Sequence, residues 1–300
     1  MLQNVANAGG FAAAARQMGL VPSALTYRVR QIEDALDVLL FDRRSRQARL
    51  TEAGAELLRQ GERLLQEVDA VANRVRRVAT GWEPQLTIAA DSIVAKPILM
   101  ELAEAFFALD PPTHLRIRHE ALSGTLDALV SGRADLALGV SMDSSTATGV
   151  RIAPLGQLRF VYVVAPHHPL ADAPEPLKDE LMQRHRAVAV ADSIHSGSTI
   201  TLGLLGGQDV FTVSSMADKL DAQLRGLGAG FLPETLVAPY VKAGHLVVKE
   251  VERSARLAQV GYAWRIAATP GRALSWWLSQ LESATTRAAL LDGQQGRPPA

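Results

Sequence analysis

The feature that most constrains the fold is a pair of helical segments joined by a short glycine turn in residues 11–36. Residues 11–18 form an alanine-rich helical stretch. Gly19 can end that helix in the left-handed conformation that glycine adopts at low cost. Pro22 suits the first position of a second helix, where its missing N–H is no loss. This order of elements predicts a helix-turn-helix.

The second helix has an apolar side and a polar side. Its apolar residues recur at spacings of four, three and four, which places them on one stripe: Leu25, Val29, Ile32 and Leu36. At about 100° per residue, the opposite side carries Ser23, Thr26, Tyr27 and Arg30. Such hydroxyl and guanidinium groups can contact phosphates or base edges in a major groove. We predict that this helix binds DNA, although any amphipathic helix with a solvated polar side has the same pattern.

Arginines dominate the segment that follows. After the apolar residues 39–41, the stretch 42–50 contains Arg43, Arg44, Arg46 and Arg49. The planar guanidinium suits bidentate contacts with phosphate. A charged run alone usually marks a solvated surface, but its position after a DNA-binding helix favours a β-wing on the phosphate backbone.

The chain resembles the LysR-type transcriptional regulators. Residues 5–15, 22–33, 40–43 and 50–54 carry the resemblance, which extends over nearly the whole chain. It implies a winged helix-turn-helix, all-α with a small β-wing, in residues 1–50 (the head), then a long linker helix and a periplasmic-binding-protein-like α/β effector domain of two lobes. Val21, Tyr27 and Asp37 stand where the family commonly has serine, arginine and glycine, so the operator sequence is not transferable from relatives.

The first helix of the head looks truncated. Family members usually carry a full helix before residues 5–10, and here residues 1–4 leave only its tail. We expect either a misassigned start codon, which we favour, or a head of lower stability. A small-molecule-binding protein whose truncated head does not bind DNA is therefore an alternative interpretation.

Residues 51–81 predict a linker helix that joins two chains. Thr51 can cap a helix beginning at Glu52. Apolar positions then alternate at spacings of four and three, the pattern of a coiled-coil seam: Leu57, Gly61, Leu64, Val68, Val71, Val75 and Val78, flanked by Leu58, Leu65 and Ala72. A helix packed on its own domain would also be apolar on one side. In a homodimer, two heads would contact half-sites about one helical turn apart.

Composition narrows the class of protein. The 300 residues allow two or three domains. The formal net charge is zero, so an excess of basic residues is limited to the head. There is no cysteine, which excludes disulfides, thiol catalysis and zinc fingers and agrees with a reducing cytoplasm. We expect a cytoplasmic protein without a signal peptide or membrane span, and a disordered tail over residues 293–300.

Strand-like and helix-like segments alternate in residues 84–292. The predicted strands are 86–90, 115–121, 135–140, 160–165, 187–191, 210–213, 229–232 and 262–267, and the predicted helices are one opened by Pro97 and those at 125–131, 217–227, 233–243 and 273–283. This alternation predicts a parallel sheet with helices on both faces. The resemblance implies lobe I at about 84–155 and 262–290 and lobe II at about 160–255, with crossings near 154–159 and 253–260.

Ligands of such folds bind beyond the carboxyl ends of strands, near helix N-termini. The candidate effector contacts are therefore Ser92, Ile93, Leu122, Ser123, Val140, Ser193, Ser196, Ser214 and Phe231. Each of these residues could equally serve an ordinary cap or turn. Hydroxyls and helix ends are compatible with a small carboxylate or an aromatic acid as effector.

Signals of catalysis are weak. His167 and His168 precede Pro169 and suit a turn better than a metal pair, Asp218 and Asp221 have no histidine at ligand spacing, and no phosphate loop or nucleophile elbow occurs. We expect no enzyme, cofactor or metal, although an α/β enzyme with a fused DNA-binding head stays a rival. The favoured interpretation is a transcriptional regulator that binds operator DNA and a small-molecule effector. We expect a homodimer, a homotetramer by family resemblance, and RNA polymerase as a partner if it activates.

Overall fold

The computed structural model describes residues 1–42, 48–142, 149–193, 203–252, 256–266 and 270–292. The chain divides into two units, residues 1–72 and 73–300. The first contains α1 (Leu2–Ala8), α2 (Phe11–Gln17), α3 (Pro22–Leu36), β1 (Phe41–Asp42) and β2 (Arg49–Leu50), and α4 (Glu52–Thr80) begins in it.

The predicted helix-turn-helix is confirmed. Gly19 has a φ of 65°, and Pro22 occupies the first turn of α3. The core of this unit is small and apolar, and its fully buried members are Val5, Ala14, Ala15, Leu25, Val29, Leu40 and Phe41. The short α1 contributes Val5, so residues 2–8 form a helix that packs into this core.

The buried stripe of α3 ends differently from the prediction. Leu36 is 49% exposed, and Glu33 is buried in its place. Positions 25, 29 and 33 follow the helical repeat onto one side. The Glu33 carboxylate tolerates burial because it accepts hydrogen bonds from the backbone N–H groups of Leu40 and Phe41, at 2.9 and 3.4 Å.

A two-stranded wing follows α3, and α4 is capped where it leaves the wing. Strands β1 and β2 pair antiparallel. Thr51 Oγ1 accepts a hydrogen bond from Gly54 N at 3.0 Å, as predicted for the N-cap of α4. The same hydroxyl donates to Leu39 O at 2.6 Å. A Cβ on Gly54 would lie 2.1 Å from Leu40 O, so this close approach of backbones requires glycine.

The second unit contains the α/β elements. In chain order they are β3 (Gln85–Asp91), α5 (Lys96–Phe107), β4 (His114–Glu120), α6 (Ser123–Val130), β5 (Leu136–Ser141), β6 (Val150–Val164), α7 (Asp179–Gln183), β7 (Ala187–Val190), β8 (Val210–Val213), α8 (Met216–Leu224), β9 (Gly230–Pro233), α9 (Glu234–Lys242), β10 (Val247–Lys249), β11 (Arg256–Arg265), α10 (Arg272–Glu282) and α11 (Ala284–Asp292). Three of these elements, α7, β10 and α11, were not predicted from the sequence.

The prediction of a parallel sheet is wrong for most of the strands. The described residues form a seven-stranded mixed sheet of order β10-β6-β11-β5-β3-β4, with β9 also paired to β6. Only β3 pairs in parallel within it, with β4 and β5. Strands β6 and β11 run antiparallel to each other because the chain crosses between lobes and returns. A separate two-stranded sheet pairs β7 with β8 in parallel.

Two apolar clusters define the lobes. The lobe I cluster lies among β3, β5, α5, α10 and α11, and Phe106 packs against Trp276 and Trp277 there. The lobe II cluster lies among β6, β9, α8 and α9. Strand β6 crosses between them, because Leu155 and Leu158 belong to the first cluster and Val161 and Val163 to the second. Within the described residues, no helix combines the length and apolarity needed to cross a membrane.

Candidate DNA-binding surface and effector cleft

The polar side of α3 faces solvent. Ser23 and Arg30 are exposed, and Tyr27 is 63% exposed. Thr26 is half-buried on the flank, and its hydroxyl donates to Pro22 O at 2.9 Å, so its oxygen remains only as an acceptor. Tyr27 accepts a hydrogen bond from Gln31 Nε2 at 3.2 Å. Ser23, Tyr27 and Arg30 therefore lie on the exposed side of α3, whereas Thr26 lies at its edge, beside the buried stripe, and not opposite it as predicted.

The charge of this surface changes along the helix. Arg28 and Arg30 lie near the middle of the helix, and Asp34 and Asp37 are exposed at its C-terminal end. Carboxylates repel phosphates, so the part of the helix before Asp34 suits contact with DNA better than its C-terminal end. In the wing, Arg49 is exposed on β2. Arg43, Arg44 and Arg46 lie outside the described residues.

Asp91 lies at the centre of the candidate effector cleft, next to Ser92, the residue predicted from the sequence. At the carboxyl end of β3, its Oδ1 accepts from Ile93 N at 2.9 Å, and its Oδ2 accepts from Leu122 N at 2.8 Å. Burial raises the pKa of this carboxyl to about 6, against the opposing effect of these hydrogen bonds. The available sequence signal was an acidic residue that ends an apolar strand.

Two turns of lobe I meet at Asp91. Leu122, which lies in the turn after β4, has a φ of 54°, which is unusual for a residue with a Cβ. Ile93 contacts the apolar clusters of both lobes. Asp91 therefore holds together two loops that the sequence analysis assigned to the effector.

Side chains also link the two lobes directly. Ser123 Oγ donates to the carboxylate of Asp192, which follows β7 in lobe II. Ser193 Oγ accepts from Ala121 N at 3.0 Å and donates to Ala121 O at 3.2 Å. A Cβ on Gly124 would overlap Ser193 Oγ, so the two loops approach at a glycine. We call Ser92, Ile93, Leu122, Ser123 and Ser193 the interlobe junction.

The remaining candidate effector residues lie elsewhere. Val140 is 2% exposed in a cluster with Leu129, Ala137 and Ala263, so the expectation that its side chain faces the cleft is wrong. Ser214 is exposed and donates to Asp218 at 2.6 Å beside the start of α8. Phe231 is half-buried in lobe II, and its ring lies 5.2 Å from that of Tyr162. Ser196 lies outside the described residues.

The weak catalytic candidates have structural contacts. His168 Nδ1 accepts from Leu170 N at 3.2 Å within a turn, and burial lowers the pKa of this imidazole. Asp218 bonds Ser215, the N-cap of α8, and Asp221 pairs with Arg225. Among the described residues, no group of three or more metal-binding side chains is assembled.

The apolar side of α4 is open to solvent in the single chain. Six large residues there are between 56% and 82% exposed: Leu64, Leu65, Val68, Val71, Val75 and Val78. Leu57, Leu58 and Gly61 are half-buried near the head. A continuous apolar stripe of this size is typical of a helix that packs on a partner.

Comparison with known proteins identifies the family. Residues 1–55 match the model of the bacterial regulatory helix-turn-helix protein, lysR family, and residues 79–286 match the LysR substrate binding domain. The chain is 36% identical over 273 residues to the probable HTH-type transcriptional regulator YhaJ of Escherichia coli (strain K12), with 91% of each chain covered. The chain belongs to the LysR family.

Solved LysR-family structures have the same fold over nearly the full length. CbnR in complex with its target DNA aligns with a TM-score of 0.59 at 17% identity, covering 94% of this chain and 97% of CbnR. LysG of Corynebacterium glutamicum with bound effector Arg aligns with a TM-score of 0.51 at 22% identity, covering 96% of each chain. This LysR regulator accordingly combines a DNA-binding helix-turn-helix with an effector-binding domain, and LysR regulators form oligomers.

Proposed function

We propose that this regulator contacts its operator through residues 23–30 of α3 and through the wing. Ser23, Thr26, Tyr27 and Arg30 contact base edges and nearby phosphates, and Arg43, Arg44, Arg46 and Arg49 contact the backbone. This proposal rests on the separation of buried and exposed side chains on the two sides of α3. Leu25 and Val29 are fully buried, while Tyr27 and Arg30 are exposed. Each phosphate contact would steepen the fall of affinity with salt.

Two chains pair along α4 in this proposal. The exposed apolar stripe from Leu64 to Val78 supports it, because pairing removes that surface from water. Functionally, we divide the chain into the head (1–50), the linker helix (51–81) and the effector domain (84–292). The dimer presents two heads to two half-sites, and a homotetramer follows by family analogy. As a DNA-binding regulator it acts in the cytoplasm, with RNA polymerase as a partner if it activates.

The effector, a small carboxylate or an aromatic acid, binds at the interlobe junction. The hydroxyls of Ser123 and Ser193 support this site, since they already bond across the lobes to Asp192 and Ala121. An effector that takes over these bonds would change the arrangement of the lobes. Such a change requires the effector to prefer one arrangement, because equal affinity for both shifts nothing.

A gel-shift assay with DNA from the region upstream of the gene tests the operator contacts. Arg30→Ala should weaken binding by about fivefold or more, because one guanidinium contact contributes about 1–3 kcal/mol. Arg225→Ala is the matched control, since Arg225 is an exposed arginine of lobe II. Equal binding by Arg30→Ala and Arg225→Ala would contradict the proposed surface.

A further inference from the structure

Val21 is an exposed aliphatic residue at the start of α3. It occupies the N-cap position of the helix. Its exposed fraction, 64%, is larger than that of any other large apolar residue of the head that the structure describes. The apolar cluster of the head includes the preceding residue, Leu20, but not Val21. Packing within the head therefore does not account for an aliphatic side chain at this position.

The backbone of Val21 is held in one conformation. It is extended, with a φ of −76° and a ψ of 141°, and Pro22 follows it in the first turn of the helix. The carbonyl of Val21 accepts hydrogen bonds from Ala24 N at 3.1 Å and from Leu25 N at 3.3 Å. Branching at Cβ restricts the side chain further. The two methyl groups are thus held in place, so a contact with them costs little conformational entropy.

Val21 also lies at the end of α3 that a helix-turn-helix directs into the major groove. In this motif the N-terminal residues of the second helix contact base edges. Ser23, the first of the proposed operator contacts, follows two residues later and is exposed, as is Pro22 between them. The DNA-binding surface of α3 therefore begins with two apolar residues, Val21 and Pro22, before its polar side chains.

The major groove offers one apolar group to such a residue. The base edges there present hydrogen-bond donors and acceptors, and thymine alone adds a 5-methyl group. An isopropyl group forms no hydrogen bond with an edge, but it can pack against a methyl group. The chemistry of Val21 thus matches thymine among the four bases.

We propose that Val21 contacts the 5-methyl group of one thymine in each operator half-site and thereby contributes to sequence specificity. This inference rests on the proposed operator contacts of α3. It adds to them a residue that distinguishes bases by an apolar contact, whereas Ser23, Tyr27 and Arg30 act through hydrogen bonds and charge. Contacts with base edges specify sequence, while contacts with phosphates position the protein.

Replacement of thymine by uracil in the operator tests the contact, because the two bases differ only in the 5-methyl group. The probe is DNA from the region upstream of the gene, narrowed by footprinting to the protected segment, with deoxyuridine in place of each thymine in turn. The wild-type full chain should lose about fourfold in affinity at one position of each half-site, the effect of one buried methyl group. Equal affinity for thymine and uracil at every position overturns the proposal.

Val21→Ser shows whether Val21 makes this contact. A serine at the N-cap can accept a hydrogen bond from the first turn, so we expect this variant to fold. It should bind the thymine and uracil probes equally at the position where the wild type distinguishes them. Val38→Ser, at an exposed valine beyond the C-terminal end of α3, is the matched control and should keep the wild-type preference. A wild-type preference in Val21→Ser overturns the proposal.

Two further results complete the test. If Val21→Ser does not fold, Val21→Ala decides, since it shortens the side chain and should lose most of the preference for thymine; an unchanged preference counts against the contact. A wild-type gel shift without any preference for thymine overturns only the Val21 contact. Absence of any gel shift by the wild type contradicts the proposed operator contacts of α3, and the Val21 contact with them.

Discussion

Glu33 Oε1 accepts a hydrogen bond from the backbone N–H of Leu40 at 2.9 Å. Glu33 is the third buried position of α3, and Leu40 directly precedes the first wing strand. This bond joins α3 to the wing, and the second bond, from Phe41 N at 3.4 Å, reinforces it. The geometry of the DNA-binding surface therefore depends on one buried carboxylate.

Removing that carboxylate should loosen the head. Glu33→Ala leaves buried N–H groups without an acceptor, which costs about 1–3 kcal/mol, and Glu33→Gln keeps an acceptor and should cost less. Hydrogen exchange of peptides from residues 22–42 measures the loss. The exposed Asp34→Ala on the same helix is the control. Equal protection in Glu33→Ala and Asp34→Ala would show that the bond does not hold the wing.

Asp37→Gly should stabilise the head. Asp37 ends α3 in the left-handed region, with a φ of 51°. Glycine adopts this conformation more easily, and the substitution removes a carboxylate from a helix C-terminus, so we expect a gain of about 1 kcal/mol. Thermal or urea unfolding of the full chain measures the gain in stability. Hydrogen exchange of peptides from the head then shows whether the gain lies there. Asp34→Gly, inside the same helix, should instead destabilise; a loss of stability in both variants would refute the argument.

Gly54→Ala should destabilise the head strongly. The added Cβ would lie 2.1 Å from Leu40 O, a backbone atom that has no rotamer to change. The matched control is Gly61→Ala in the same helix, where no atom lies within 4 Å of the new Cβ. Alanine there should gain about 0.5–1 kcal/mol in helix propensity. The same outcome for both glycines in an unfolding experiment would contradict the close approach.

The stability of the effector domain should depend on Asp91 and on pH. Its pKa rises from 3.8 to about 6 on folding, so folding favours the protonated form. The stabilisation is complete below pH 3.8 and is lost as the pH rises toward 6. Relative to Asp91→Asn, the wild type should therefore lose about 1 kcal/mol between pH 5 and pH 7. Melting temperatures at both pH values test this, and a constant difference would mean that Asp91 is ionised throughout.

Helix ends that depend on the properties of a single residue could be predicted from the sequence. Gly19, Pro22 and Thr51 each mark a helix end by their own backbone or side-chain properties, and all three predictions are confirmed. The apolar strand ending at Asp91 and the helix after Pro97 were likewise predictable from periodicity.

Long-range pairing accounts for what the sequence analysis missed. The antiparallel pairing of β6 with β11 joins residues about a hundred positions apart, so no local pattern distinguishes it from a parallel sheet. Glu33 was predicted as neither core nor contact because the backbone N–H groups that donate to it, those of Leu40 and Phe41, lie beyond the helix. Val140 looked like a strand end facing a cleft, but neighbouring strand β11 and helix α6 cover it.

Site-specific photocrosslinking tests most directly whether α3 faces the operator with its polar side. A photoreactive phenylalanine analogue replaces Tyr27 in one protein and Leu36, which is also exposed but lies on the opposite side, in another. The account predicts a covalent adduct with operator DNA from position 27 and none from position 36. An adduct from position 36 without one from position 27 would contradict it.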